Sequence, residues 1–229
     1  MSKSNAFENA YLLLLFNNTN AANIGDATGL RGSTVAGSLH LSLHSADPGE
    51  AGTQATNELA YTGYARLPVA RSGAGFTVTN NQVTLGANQD FGQRSDGGAT
   101  VEATYFSIGT ALSGAGVLLY RGIIGSQAGL FTAAVDDTLI IPGLTGLAVN
   151  DRVTALSLLG VTLPTGLVES TVYFVKTLTG VTITLSATQG GATLDITAVG
   201  AGILFRVAPI SISQNVTPRL TTATTITEE

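Results

Sequence analysis

The pattern of apolar and polar residues changes once, close to the start of the chain. From Asn5 to Asn18 the apolar residues recur at intervals of three and four, which is the spacing of one helical face. Asn5 can cap the first turn, and Glu8 follows three residues later as in a capping box. This pattern predicts a single N-terminal helix.

The predicted helix is apolar on more than one side, and a helix of this kind needs burial from more than one direction. It either lies within the core of its own chain or packs against a neighbouring subunit, and both alternatives stay open at this point. The candidate subunit or capsid contacts are Phe7, Tyr11, Leu12, Leu14, Leu15 and Phe16.

The rest of the chain consists of short runs of β-branched and aromatic residues between Gly, Asn, Asp and Pro, which is typical of an all-β fold. The first predicted strands are Ser38–His44, Tyr64–Arg71, Phe76–Thr79, Gln82–Leu85, Val101–Ile108 and Val117–Gly122. The second series is Asp137–Ile141, Arg152–Leu158, Thr171–Lys176, Val181–Leu185, Leu194–Ala198 and Ile203–Val207. Asn80 and Asn81 predict a hairpin turn, and the stretch from Ala46 to Gly63 predicts a long loop. The closing stretch from Ile210 to Ile226 predicts one or two further strands.

Composition points to assembly. Only 11% of the 229 residues are charged, against about 25% in an ordinary soluble domain, and the net charge is −5. A thinly charged surface contains neutral polar and apolar area that a partner can cover, which favours a homo-oligomer. The negative charge argues against nucleic acid as a partner. The longest apolar run, from Ala10 to Phe16, is far shorter than the roughly 20 residues of a membrane span. The first residues, MSKSNAFENA, lack the order of a signal peptide, so we expect synthesis in the cytoplasm.

The residues that most often carry chemistry are few and poorly placed. His40 and His44 lie on one predicted strand, about 13 Å apart along it, and are interpreted as surface histidines on one sheet face. No nucleophile elbow or dinucleotide fingerprint is present. Asp47 and Glu50 can form an acidic loop that binds a cation, although EF-hand spacing is missing. We therefore expect no catalytic residues, no cofactor-binding residues, no bound cofactor and no metal site.

Two basic residues on a predicted strand, Arg66 and Arg71, lie five apart and so face opposite sides. They do not form a basic patch, and a solvated or ion-paired role is expected for them.

Three sequence blocks resemble a family of tailed-bacteriophage virion proteins described as tail fibre or head decoration (cement) proteins. They are LHLSLHSADPGEAGTQATNELAYTGYARLPVARSGAGFTVTNN, ATYFSIGTALSGAGVLLYRG and ISISQNVTPRLTTATTITEE. The block from Asp136 to Gly202 is similar to a small β module of phage structural proteins, with the pieces GLAVNDRV, LPTGL and TVYFV.

The resemblance implies a core virion-binding β-domain formed by residues 1–128 and 209–229, and an inserted small β-domain formed by residues 129–208. The fold class expected is mainly β, with an N-terminal α-helix and an antiparallel β-sandwich or jelly-roll-like core.

The absence of long repeats and coiled-coil stalks favours a capsid decoration (cement) protein over a fibre. Such a protein would be non-enzymatic, form a dimer or trimer, and bind the major capsid protein at the capsid surface of the virion. The inserted domain would face outward towards a host surface ligand. The alternative is a receptor-facing tail fibre or tail adapter protein. A lectin-like protein is a further rival, and it would need exposed aromatic residues such as Tyr173 and Phe174 to line a glycan groove together with Asp or Glu.

Overall fold

The computed structural model describes residues 3–158 and 160–228. The chain divides into two compact units, one formed by residues 1–122 and 210–229 and the other by residues 123–209. The predicted fold class is confirmed, since 38% of the residues lie in antiparallel strands and 6% in one N-terminal helix.

Helix α1 spans Asn5–Asn17. In the first unit the strands before the division are β1 Ser38–His44, β2 Leu67–Ala70, β3 Phe76–Thr79, β4 Gln82–Leu85, β5 Gln89–Asp90, β6 Val101–Ala103, β7 Tyr105–Gly109 and β8 Leu118–Ile123. The second unit contains β9 Gly125–Ala133, β10 Leu139–Ile140, β11 Arg152–Leu156, β12 Val172–Thr179, β13 Thr182–Ser186 and β14 Gly200–Val207. The chain then returns to the first unit with β15 Ile210–Ile212, β16 Arg219–Leu220 and β17 Thr225–Thr227.

The start of α1 differs from the prediction by one residue. Ser4 is the N-cap, and its side-chain oxygen accepts a hydrogen bond from the Phe7 N–H at 3.4 Å. Asn5 is therefore already helical, and Glu8 lies one position too late for a capping box. The end of the helix is confirmed, because Asn18 has a φ of 56° and leaves the helix in the left-handed region.

The first unit is built from sheets that pack face to face. A four-stranded sheet has the order β2-β1-β7-β8, and a three-stranded sheet has the order β17-β4-β3. Both sheets contribute side chains to one apolar pocket, lined by Leu41, Phe106 and Ile108 on one side and by Phe76, Val83, Leu85 and Ile226 on the other. This arrangement is that of a β-sandwich.

Two strand predictions in this unit need correction. The predicted strand Val101–Ile108 is two strands, because β6 pairs with β15 whereas β7 pairs with β1. The break falls at Thr104, whose N–H and hydroxyl donate to the carbonyls of His44 and Ser45. The closing stretch supplies three strands and not one or two, and they pair in turn with β6, β5 and β4.

Helix α1 packs against this sandwich through aromatic contacts. The ring of Phe16 lies 4.9 Å from that of Phe76 and 5.5 Å from that of Tyr120, centroid to centroid. The Arg71 guanidinium donates to the carbonyls of Leu15 at 2.6 Å and Leu14 at 2.8 Å. A cation at the last carbonyls of a helix complements its dipole, so Arg71 fixes the C-terminal end of α1.

The second unit is a closed six-stranded barrel with the order β10-β13-β12-β11-β14-β9. Strand β9 is absent from the predicted strands, whereas the predicted strand Leu194–Ala198 is a loop and that prediction is wrong. The Ile196 N–H donates to Asp137 Oδ1 at 2.8 Å, and the Ile196 side chain is buried. This segment therefore contributes to the core of the barrel without forming a strand.

Candidate interaction surfaces

The residues that come closest to a catalytic arrangement lie inside the first unit. The prediction of surface histidines is wrong for His44, which has no exposed surface, whereas His40 is half-buried. His44 Nδ1 lies 2.8 Å from the Thr56 carbonyl oxygen. That oxygen can only accept, so Nδ1 carries the proton, and Nε2 accepts from the Ser107 hydroxyl at 2.9 Å.

This histidine–serine pair is part of a closed network. The Ser107 oxygen also lies 2.7 Å from the hydroxyl oxygen of Ser42, and neither serine has any exposed surface. Burial lowers the pKa of His44 and so favours its neutral form. A substrate from solvent cannot reach these buried atoms. The network therefore serves to hold β1 and β7 together.

The loop proposed as a cation site contacts a basic side chain instead. An Arg121 nitrogen lies 2.5 Å from Asp47 Oδ2, and another lies 3.7 Å from Glu50. Within the described residues no group of three or more His, Cys, Asp or Glu side chains is placed to hold a metal ion. Over the same residues no helix is long and apolar enough to span a membrane.

Arg66, which the sequence pattern placed with Arg71 on one predicted strand, is almost completely buried and forms an ion pair with Glu58. Its Nε and Nη2 donate to the two carboxylate oxygens, both at 2.7 Å. The same guanidinium donates to the carbonyls of Ala111 at 2.9 Å and Gly114 at 2.6 Å. Arg66 therefore ties the long loop after β1 to the loop between β7 and β8.

The C-terminal segment is held by a similar buried arginine. Arg94 donates to Asp96 Oδ1 at 2.7 Å and to the Ile212 carbonyl at 2.9 Å. The hydrogen bond from Arg94 holds the pKa of the Asp96 carboxyl well below its usual range. Near the end of the chain, the Glu228 carboxylate pairs with Lys3 and accepts from the Tyr120 hydroxyl. These polar groups serve the fold.

The structure separates the predicted contact residues of α1 into two groups. Leu12 and Phe16 have no exposed surface and belong to the core of the first unit. Leu14 and Leu15 are half-buried, whereas Phe7 and Tyr11 are exposed. Of the six, Phe7 and Tyr11 therefore offer the most side-chain surface to a partner.

Exposed apolar side chains also occur away from the helix, at positions that the helical pattern does not indicate. In the first unit they are Leu30, Val35, Leu112 and Val117. In the barrel they are Leu130, Val135, Ile140, Val149, Val161, Val168, Val181 and Val199. Several of these residues are valines that stand alone among Gly, Thr and Asp in predicted loops. Because no alternating strand pattern surrounds such a valine, its exposure could have been predicted from the sequence.

The two aromatic residues considered for a glycan groove, Tyr173 and Phe174, do not line one surface. Tyr173 is buried, and its hydroxyl accepts from the Val168 N–H at 2.9 Å. Phe174, the next residue, is half-buried. Since successive residues of a strand point to opposite faces, the two rings do not share one surface.

Comparison with known protein families finds a match to the first part of the chain. The family model described as "Podophage GP4 fiber I protein gp80" matches residues 2–140, which is more than half of the chain. The match covers α1 and β1 to β10 and ends at the last residue of β10 in the barrel. No curated protein and no solved structure matches the chain. On this match the chain belongs to the podophage GP4 fiber I protein gp80 family, a family of bacteriophage structural proteins.

Proposed function

We propose that this chain is a non-enzymatic component of a bacteriophage tail fibre, or of the adapter that joins a fibre to the tail. The observation that carries the proposal is the match of residues 2–140 to a phage fibre family. The capsid decoration function, which the sequence pattern alone favours, has no comparable support. The virion is the site of action under either function.

The polar chemistry of the first unit supports a binding function. The Ser42–Ser107–His44 network is closed to solvent, and the side chains of Arg66 and Arg94 are engaged with carboxylates and carbonyls of the same unit. These contacts stabilise loops, and a protein of this kind acts through the surfaces that it presents.

The exposed face of α1 is the proposed contact with a second copy of the chain or with a neighbouring virion protein. Phe7 and Tyr11 stand on this face. Large aromatic side chains of this kind often supply most of the binding free energy of an interface, because each buries a large area with little loss of conformational freedom. The core residues Leu12 and Phe16 hold the helix in place beneath them.

The location is tested on intact virions with an antibody raised against the purified chain. We expect gold-labelled antibody at the tail fibres in electron micrographs. Quantitative mass spectrometry of the same particles should find far fewer copies of this chain than of the major capsid protein. Label spread over the heads, with a copy number comparable to that of the capsid protein, would instead establish a decoration protein.

A further inference from the structure

One end of the barrel is formed by three loops, whose described residues are 134–138, 157–158 with 160–171, and 187–199. Together we call them the loop end. In the pairing of β9 with β14, Gly125 lies opposite Val207 and Ala133 lies opposite Gly200. The chain therefore enters and leaves the barrel at the Gly125 end. The loop end is the opposite end, where β9 reaches Ala133.

The described residues of the loop end are tied to one another. The Ile196 N–H donates to Asp137 Oδ1 at 2.8 Å, and the Thr197 N–H donates to the Thr165 carbonyl at 3.2 Å. Ile196 and Leu167 are buried and belong to the apolar core of the barrel. A surface that is already fixed loses little conformational entropy when a partner binds.

Each of the three loops presents exposed valine. The exposed fraction rises from 39% for Val161 to 72% for Val199, with Val135 and Val168 between them. A single exposed apolar residue needs no explanation, but the three joined loops place several at one end of a small domain. Such a surface is suited to a partner that covers aliphatic side chains.

The charges of the loop end have one sign. The three loops contain Asp136, Asp137, Glu169 and Asp195 but no Lys, Arg or aromatic residue. The basic residues of the second unit are Arg152, Lys176 and Arg206, and all three lie on strands. A surface of this composition repels phosphate-bearing lipids and polymers, and it has no ring on which a sugar can stack.

We infer that the loop end docks a protein surface that combines lysine or arginine side chains with aliphatic ones. The valines would supply apolar burial, and the exposed carboxylates of Asp136, Glu169 and Asp195 would pair with the cations of the partner. The inference rests on the proposed function, since it names the partner chemistry of a receptor-facing fibre component.

The test uses a random-peptide display library selected on the immobilised full-length chain. We expect selected peptides to contain at least about twice the Lys and Arg content of the unselected library, with aliphatic residues beside them. Raising the salt concentration from about 50 to about 500 mM should weaken their binding severalfold, because exposed charges are screened.

Variants place the binding on the loop end. Combining Val135→Ser, Val168→Ser and Val199→Ser should weaken the best peptide about tenfold, which is 1.4 kcal/mol. Asp195→Asn should weaken it about threefold, because one carboxylate is lost. Val149→Ser, an equally simple change at an exposed valine between β10 and β11, should leave affinity within about twofold. Unchanged circular dichroism and thermal unfolding of each variant exclude loss of fold.

The inference is overturned if the selected peptides are not enriched in cations, or if the triple variant binds them normally. It is also overturned if the chain binds vesicles that contain an anionic phospholipid, or immobilised glycans, through this end. The selection needs no virion, so its failure leaves the tail location to the antibody experiment, and a head location found there leaves the peptide result unchanged.

Discussion

The strongest test of the structural reasoning compares two arginine–carboxylate pairs with similar geometry and different burial. Arg66 binds Glu58 with two hydrogen bonds of 2.7 Å, and the exposed fractions of the two side chains are 2% and 16%. Arg219 binds Asp90 with hydrogen bonds of 2.5 and 2.8 Å, and the exposed fractions are 53% and 46%. The perturbation is Arg66→Gln in one variant and Arg219→Gln in the other.

The expected magnitudes follow from what each arginine leaves behind. Loss of Arg66 leaves the mostly buried Glu58 carboxylate without its cation, and the carbonyls of Ala111 and Gly114 without their donors. Breaking a buried pair in this way costs about 3–5 kcal/mol of the free energy of unfolding. The exposed Arg219 pair contributes far less, since water and salt replace it. Total stability is only about 5–15 kcal/mol, so Arg66→Gln should shift the unfolding curve strongly.

Urea unfolding followed by tyrosine fluorescence measures this difference in the right part of the molecule. The chain contains no tryptophan, and five of its six tyrosines belong to the first unit, whereas Tyr173 belongs to the barrel. The main fluorescence change therefore reports the unit that holds Arg66, even if the two units unfold separately.

A second substitution separates loss of charge pairing from loss of packing. Adding Glu58→Gln to Arg66→Gln removes the uncompensated carboxylate while the amide oxygen can still accept from the Tyr64 hydroxyl. The double variant should therefore be more stable than Arg66→Gln alone. If Arg66→Gln costs no more than Arg219→Gln, burial of the first pair does not stabilise the loops and the reasoning is refuted.

Three further predictions concern the helix, the buried histidine and the barrel. Leu12→Ala should cost about 2–5 kcal/mol of unfolding free energy because it leaves a cavity, whereas Phe7→Ser should change it by less than about 0.5 kcal/mol and reduce self-association in sedimentation; unchanged sedimentation would remove Phe7 from the contact. Burial lowers the pKa of native His44, so the unfolded chain binds its proton first as pH falls below about 6.5. The contribution of neutral His44 to the free energy of unfolding is therefore complete above that pH and declines towards pH 5. The urea midpoints of His44→Gln at pH 8 and pH 5 should differ less than those of the parent protein. Gly166→Ala should lower the free energy of unfolding of the barrel by at least about 1 kcal/mol, as measured by thermal unfolding. The reason is that φ is +109° at this position and the new Cβ would lie 2.2 Å from a backbone carbonyl oxygen. A variant as stable as the parent would contradict this geometry.

Sequence patterns predicted local structure well where a turn residue fixed the ends of a strand. The predicted strands Phe76–Thr79 and Gln82–Leu85 have the observed bounds, and Asn80 between them adopts a φ of 55°. The turn sets the register of this hairpin, since Thr79 lies opposite Gln82. Information of this kind is contained in a few neighbouring residues, so it can be read without the rest of the chain.

The predictions failed where distant residues decide the outcome. The alternation in Ser38–His44 suggested an exposed polar face, but Ser42 and His44 are buried because Ser107 and the Thr56 carbonyl satisfy their polar atoms. Strand β9 was not predicted, because Gly125 and Gly129 weaken the β pattern while pairing with β14 holds the strand. No local pattern contains these partners.

The small number of charges has a consequence that the sequence alone does not show. Most basic side chains are engaged inside the described part of the chain, six with carboxylates and one with helix carbonyls: Lys3, Arg66, Arg94, Arg121, Arg206, Arg219 and Arg71. Their pairing with carboxylates of the same unit neutralises much of the scarce charge. The long-range field that would speed association is therefore weak over most of the surface. Contacts of α1 must accordingly rely on apolar burial, whereas the carboxylates of the loop end, which have no cation in their own loops, can attract a basic partner.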